Sequence, residues 1–122
     1  MKKERNIITI CDTGVVTVPR EVRMTTGEIA GLFDIYYYTA KRHIRTIEKC
    51  AVASGDYTMS CTVNGMQVYP DYYGLEMIIA VAFRVQSKNA ELFRKWLMRK
   101  AVSNVDKTLI SLFRNWDKVQ LN

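Results

Sequence analysis

Residues 24–49 constrain the fold of this chain more than any other stretch, because they encode two short helices around a sharp turn. They read MTTGEIAGLFDIYYYTAKRHIRTIEK. Thr25 and Glu28 fit a capping box, in which each side chain accepts a hydrogen bond from the other residue's backbone N–H. Apolar residues at helical spacing follow in each half: Ile29, Leu32 and Phe33, then Ala40, Ile44 and Ile47. This pattern predicts a helix-turn-helix.

The second of these helices, expected from Tyr36 or Tyr37 to about Lys49, is basic on the side that its apolar stripe leaves free. Its cations are Lys41, Arg42 and Arg45. In a helix-turn-helix such a face lies in the DNA major groove, where Arg and Lys contact phosphates and Arg pairs with guanine. We therefore expect this helix to contact DNA; the alternative is a purely structural helical hairpin.

Two features of the turn are unusual for a helix that reads DNA. Asp34 stands where Gly commonly provides a positive φ, although Asp tolerates the left-handed conformation better than most residues do. Tyr36, at the expected N-cap, lacks the short hydroxyl side chain of Ser or Thr. Tyr36, Tyr37 and Tyr38 are also an unusual start for a reading helix, and they either contact sugar and phosphate or pack against a partner subunit.

Two β-hairpins are predicted, one on each side of the helix pair. Residues 7–18 are β-branched around Asp12-Thr13-Gly14. Residues 57–70 carry the stronger signal, because Asn64-Gly65 suits a two-residue type I′ turn and Pro70 ends the second strand. A hairpin directly after a helix-turn-helix takes the position of a wing, and we expect its tip at Asn64 and Gly65 to touch the DNA backbone.

The rest of the chain is predicted to be helical. Three apolar stripes follow one another: Leu75, Ile78, Ile79 and Ala82; Phe93, Trp96, Leu97 and Ala101; and Leu109, Leu112, Phe113, Trp116 and Val119. Asp106 is the expected N-cap of the third. The stripe over residues 109–119 packs either on the protein's own core or on a twin subunit. We favour a homodimer, because helix-turn-helix proteins that read symmetric sites normally dimerise.

The charge of the chain favours anionic partners, with nucleic acid first. The net charge is +6, and residues 50–83 contain no Lys or Arg. A second basic cluster follows that segment, formed by Arg84, Lys88, Arg94, Lys95 and Arg99. This cluster is either a second phosphate-binding patch or only the solvated surface of two helices.

The residues that commonly carry catalysis or bind metal do not form a recognisable set. Cys11, Cys50 and Cys61 are odd in number and far apart, so we expect neither disulfides nor a zinc site but small buried cysteines in a reducing compartment. His43, the only histidine, is expected to be packed or hydrogen-bonded rather than a ligand. Without a nucleophile, a P-loop or paired carboxylates, we expect no enzyme activity, no cofactor and no small-molecule substrate.

The N-terminus does not resemble a targeting segment. The charged start MKKERN is followed by only a short apolar run, and no stretch approaches the length of a membrane span. We therefore expect a cytoplasmic protein without membrane partners.

Two motifs within residues 24–97 resemble the N-terminal region of the virulence-associated RhuM family. The first joins MTTGEIAGLFDI to TAKRHIRTI, and the second is the longer YYGLEMIIAVAFRVQSKNAELFRKW. Phage and viral BRO-type domains share a looser version of the second motif. The resemblance implies a DNA-binding module of bacterial mobile-element or virulence-associated loci. The chain departs from the family at Asp34, where Gly is usual, and at the tyrosines that begin the second helix.

Together these patterns predict an α+β fold, a winged helix-turn-helix domain over residues 1–122. It comprises an N-terminal hairpin in 1–23, the helix-turn-helix in 24–49, the wing in 57–70 and C-terminal helices in 74–122. The expected function is binding of double-stranded DNA as a transcriptional regulator. The expected DNA contacts are Tyr37, Tyr38, Lys41, Arg42, Arg45, Asn64 and Gly65. The alternative is a protein-interaction or dimerisation module that keeps the fold without reading DNA.

Overall fold

The computed structural model describes residues 6–103 as four helices and two small antiparallel hairpins, which is an α+β fold. In chain order the elements are β1 Thr9–Ile10, β2 Val16–Thr17, α1 Thr26–Phe33, α2 Tyr37–Lys49, β3 Cys61–Asn64, β4 Gln67–Pro70, α3 Leu75–Ala82 and α4 over residues 88–103. The predicted helix opened by Asp106, with its stripe over 109–119, lies outside the described residues. No helix within residues 6–103 is long and apolar enough to cross a membrane.

Local signals set both ends of α1, as the sequence predicts. Thr25 Oγ1 accepts from the Glu28 backbone N–H at 3.2 Å, and Glu28 Oε1 accepts from the Thr25 N–H at 3.0 Å, so the capping box is confirmed. Asp34 ends the helix in the left-handed conformation, with φ 55° and ψ 51°. Its N–H bonds back to the carbonyls of Ala30 and Gly31, which closes the turn. α2 starts after Tyr36, whose side chain makes no capping hydrogen bond.

Replacing Thr25 with Ala should lower the free energy of unfolding by about 1 kcal/mol, because the Glu28 N–H loses its acceptor. Chemical denaturation of both proteins measures the difference. Gln86→Ala is a suitable control, because Gln86 is exposed and lies between two helices. An equal loss in both variants would show that the cap contributes nothing.

One hydrophobic core joins the helices to the first hairpin. The largest fully buried side chains are Ile8, Met24, Ile29, Phe33, Ile44, Met77, Ile78, Val81 and Phe93. At its centre the rings of Phe33 and Phe93 meet edge to face, 5.8 Å between centroids, and Trp96 stacks on Phe93 at 5.7 Å. The predicted stripes of α1 and α2 are confirmed, since Ile29, Leu32, Phe33, Ala40, Ile44 and Ile47 are all buried.

The buried side of α3 differs from the predicted stripe. Met77, Ile78, Val81 and Ala82 are buried, whereas Leu75 and Ile79 are only partly buried against the core. This helix is apolar almost all round, so periodicity alone does not identify the side that faces the core. Phe83, the C-cap of this helix, is exposed. In α4, Phe93 is buried, Trp96 and Leu97 are half-buried and Ala101 is exposed.

The turn of the second hairpin lies one residue later than predicted. Asn64 pairs with Gln67, so Gly65-Met66 is the two-residue connection. Gly65 has φ 64°, and the only non-glycine residues of 6–103 with positive φ are Asp34 and Ala51. A positive φ at the first turn position alone is the pattern of a type II′ turn, not the type I′ turn expected. Strand β4 ends at Pro70, as predicted.

Gly55 and Tyr73 connect the second hairpin to the helices. The backbones of Met24 and Tyr73 exchange hydrogen bonds of 3.0 and 2.8 Å, and Gly55 forms an isolated bridge with Tyr73. A Cβ built on Gly55 would lie 2.2 Å from Cγ of Pro70. The chain therefore passes too close to Pro70 for any side chain at Gly55.

The prediction that the cysteines are buried is wrong. Cys11 and Cys50 are exposed and Cys61 is half-buried. Cys11 lies at the tight connection of the first hairpin and Cys50 at the C-cap of α2, where the chain turns at the surface. Cys61 belongs to the second hairpin, where residues 61–69 are exposed or half-buried.

Candidate nucleic-acid interface

Helix α2 presents one cationic face to solvent. Residues spaced three and four apart share a side of a helix. On α2, residues at this spacing line a depression of ≈ 420 Å³ that opens to solvent. They are Tyr38, Lys41, Arg42, Arg45, Thr46 and Lys49. The opposite side carries the buried residues Ala40, Ile44 and Ile47. We call the six lining residues the basic face.

The cations of the basic face are not neutralised by the protein. Within residues 6–103, the side chains of Lys41, Arg42 and Lys49 form no ion pair and no hydrogen bond. The one acidic residue of α2, Glu48, instead accepts from the Gly55 N–H at 3.4 Å and the Tyr57 hydroxyl at 3.5 Å. The positive charge of this face is therefore available to an anionic partner.

The tyrosines at the start of α2 lie on different sides of the helix. Tyr36 and Tyr38 are 84% and 77% exposed, and Tyr38 belongs to the basic face. Tyr37 is 48% exposed and faces the second hairpin, with its ring edge to face against Tyr38 at 5.4 Å. Tyr37 and Tyr38, the two tyrosines predicted to contact DNA, therefore face two neighbouring surfaces.

A groove of ≈ 630 Å³ lies between α2 and the second hairpin, and we call it the tyrosine groove. Its lining includes Tyr37, Lys41, Arg45 and Glu48 from α2, Thr62, Asn64 and Tyr69 from the hairpin, and Asp71 and Tyr72 beyond it. The guanidinium carbon of Arg45 lies 5.1 Å from the centre of the Tyr69 ring, a cation–π contact that links the two elements. The structure therefore brings predicted residue Asn64 close to Tyr37, Lys41 and Arg45, while Gly65 lies at the exposed turn.

The second basic cluster is partly committed to internal contacts. Arg94 donates to the carbonyls of Ala82 at 2.6 Å and Val85 at 2.9 Å, where its cation stabilises the C-terminal end of α3. Lys95 pairs with Glu91 at 3.1 Å. Lys88 and Arg99 are exposed, without a charged partner in the part of the chain that the structure describes. The second cluster therefore offers Lys88 and Arg99 to a partner, whereas its other members make contacts within the described residues.

His43 connects α2 to the end of α3. Arg84 Nε–H donates to His43 Nδ1 at 3.4 Å, so His43 is hydrogen-bonded, as the sequence predicts. Arg84, a member of the second cluster, faces α2 through this bond. Burial lowers the pKa of His43 below its usual 6.5, and the positive charges of Arg84 and Arg42 lower this pKa further. No group of three or more His, Cys, Asp or Glu side chains in residues 6–103 is arranged to hold a metal ion.

Stability should fall as the pH is lowered through 6.5, and His43→Gln should remove most of this dependence. Because the pKa of His43 is lower in the folded state, the unfolded chain takes up the proton first. The contribution of His43 to the free energy of unfolding is therefore fully present above pH 6.5, and it is lost as the pH falls toward the pKa of the folded state. His43 is the only histidine, and carboxylates titrate at lower pH, so the window belongs to this residue. Denaturant titrations at several pH values between 7.5 and 5 measure the effect; equal slopes in both proteins would contradict it.

Several residues of the candidate interface were not predicted as contacts, among them Lys49 and Tyr69. Lys49 follows Arg45 at the i+4 spacing, so the sequence carried a signal for it. Tyr69 carries no such signal, because its place opposite Thr62 follows from the hairpin register, which depends on the turn.

Comparison with known proteins finds no match: no family model fits the sequence, and no curated protein or solved structure shows significant similarity.

Proposed function

We propose that this protein is a winged-helix module that binds double-stranded DNA, with α2 in the major groove and the second hairpin as the wing. The observation that carries the proposal is the basic face, whose cations form no ion pair within residues 6–103 and lie on a helix that packs on the core with its opposite side. From Tyr38 to Lys49 the face extends about 17 Å at 1.5 Å per residue. The major groove is about 12 Å wide and admits one α-helix.

The position of the second hairpin supports this assignment. Its tip is free to reach an adjoining stretch of backbone, since Met66 at the turn is fully exposed. The contact between Arg45 and Tyr69 holds the hairpin beside α2. Tyr38, Lys41, Arg42, Arg45 and Lys49 would contact the duplex from α2, and Asn64 and Gly65 would contact its backbone from the wing.

The biological role that we propose is transcriptional regulation of a mobile-element or virulence-associated locus in the cytoplasm. It rests on the resemblance of residues 24–97 to the RhuM family and on the charge of α2. A homodimer on a symmetric site is usual for helix-turn-helix proteins. Each subunit places one reading helix in the DNA, and the two helices occupy successive major grooves.

Selection from a random duplex library, followed by sequencing of the retained DNA, tests the proposal. We expect retention in low salt and enrichment of a short motif, and a palindromic motif would indicate a dimer. A variant with Arg42→Glu should retain little DNA. Failure of the wild-type protein to retain any duplex would overturn the proposal.

A protein-interaction or dimerisation module is the second candidate. It is favoured by the apolar residues that the second hairpin exposes: Val63 is 68% exposed, and Val68 and Met66 are also exposed. Homodimer interfaces, and the buried centres of other interfaces, are more apolar than the rest of a protein surface. Sedimentation of the full chain at micromolar concentrations tests the homodimer, and Val63→Lys should dissociate it. A monomer under these conditions would contradict self-association.

A further inference from the structure

We propose that the tyrosine groove binds an unpaired nucleotide next to the duplex that the basic face holds. This inference rests on the proposed DNA binding and assigns a second ligand class, a single-stranded DNA end or junction. The groove's ≈ 630 Å³ lies within the roughly 300–1,000 Å³ of small-ligand sites.

The groove and the basic face share two cations. Lys41 and Arg45 line both the outward depression and the groove, so the two cavities meet along these side chains. A DNA strand bound to the basic face therefore has its phosphates beside the entrance of the groove. A nucleotide that is not held in the duplex can turn its base inward while its phosphate stays on Lys41.

The charges of the groove distinguish a base from a phosphate. Glu48 and Asp71 line the groove and not the basic face. Asp71 accepts hydrogen bonds from the hydroxyls of Ser60 and Thr62, and these bonds lower its pKa, so the carboxylate stays charged near neutral pH. Carboxylates repel a phosphate, whereas the amino groups of cytosine and adenine donate hydrogen bonds. The side of the groove lined by Glu48 and Asp71 therefore suits a base, and the side lined by Lys41 and Arg45, which it shares with the basic face, suits a phosphate.

Aromatic surface for stacking is present in the groove. Tyr37 is partly exposed there, and Tyr69 holds the Arg45 guanidinium over its ring. Unpaired bases stack on tyrosine rings and on guanidinium planes, with little dependence on sequence. Tyr72 provides a third ring in the same groove. The combination of tyrosines, an arginine in cation–π contact and two carboxylates matches an unstacked base better than a continuous duplex backbone.

A comparison of matched DNA duplexes tests the inference. One duplex is blunt, and two others carry a short 5′ or 3′ single-stranded overhang on the same sequence. We expect about tenfold tighter binding to one of the overhang duplexes, as one stacked base contributes. Equal affinity for all three would overturn the inference and leave duplex binding intact. If the protein bound none of them, both the inference and the proposed function would fail.

Three variants assign the preference to the groove. Tyr69→Ala should abolish the preference for the overhang, and Tyr69→Phe should retain it because the ring remains. Tyr36→Ala is the matched control, since Tyr36 is exposed and lines neither the groove nor the basic face. Loss of the preference in Tyr36→Ala, or its persistence in Tyr69→Ala, would contradict the assignment.

A spectroscopic readout on the unaltered protein completes the test. With 2-aminopurine at the first unpaired position, binding should quench the fluorescence, because the base stacks on an aromatic side chain. The same base inside the duplex should change little. Unchanged fluorescence of the unpaired base on saturation with protein would overturn the inference, whatever the stability of the variants.

Discussion

Replacement of both Arg42 and Arg45 with alanine is expected to weaken duplex binding roughly 30-fold, at about 1 kcal/mol for each lost contact. Neither arginine is paired with a carboxylate in the described part of the chain, so their removal leaves no buried charge behind. The dependence of log K on log salt should become shallower by about two, because each phosphate contact contributes about 0.9 to the slope. Fluorescence anisotropy with a labelled duplex at several salt concentrations measures both quantities.

The matched control removes the same charge from another surface. Lys88 and Arg99 are exposed on α4, and Lys88→Ala with Arg99→Ala leaves the basic face unchanged. We expect the affinity of this variant for the duplex to fall less than about threefold, because the removed charges act on the DNA only from a distance. If it lost as much as the α2 variant, the binding would depend on total charge and not on the basic face.

Replacement of Gly55 with alanine should lower the free energy of unfolding by about 2–3 kcal/mol, the upper part of the roughly 1–3 kcal/mol that is usual for overpacking. The new Cβ would lie 2.2 and 2.7 Å from Cγ and Cβ of Pro70, and 2.9 Å from Cε1 of Tyr73. The pyrrolidine ring is rigid, so the backbone has to move. This movement would separate the second hairpin from α2, and it should also weaken the contact between Arg45 and Tyr69.

Gly31→Ala makes the same chemical change as Gly55→Ala, but we expect it to stabilise the protein. Gly31 lies inside α1, and a Cβ there would meet nothing within 4 Å. Alanine should stabilise the helix by about 0.5–1 kcal/mol. Thermal or chemical denaturation of the two variants measures the contrast. A similar loss in both would indicate that the close approach at Gly55 is not what makes glycine necessary.

Features that depend on neighbouring residues in the chain were predictable from the sequence. The capping box at Thr25 and the left-handed turn at Asp34 are set within four residues, and both are confirmed. The second hairpin was predictable in its position but not in its turn. Both Asn-Gly and Gly-X dipeptides suit two-residue turns, so the sequence left two turn positions open, each with its own strand register.

Features that depend on tertiary contacts were not predictable. Arg94 looks like a surface cation in the sequence, yet it donates to carbonyls at the end of α3. Gly55 permits a close approach of its backbone to Pro70 and Tyr73, and both of these residues line the tyrosine groove. No periodicity marks Tyr69 as the partner of Arg45, since these residues belong to different elements. The basic face itself, by contrast, follows from the helical spacing of Tyr38, Lys41, Arg42, Arg45 and Lys49.

The central claim is that α2 is the surface that binds duplex DNA. A titration of isotopically labelled protein with a short duplex, followed through the amide chemical shifts of each residue, tests it most directly. We expect the largest changes over residues 38–49, with smaller changes over residues 64–69 of the hairpin. Changes confined to residues 88–103, or no change at saturating DNA in low salt, would contradict the claim.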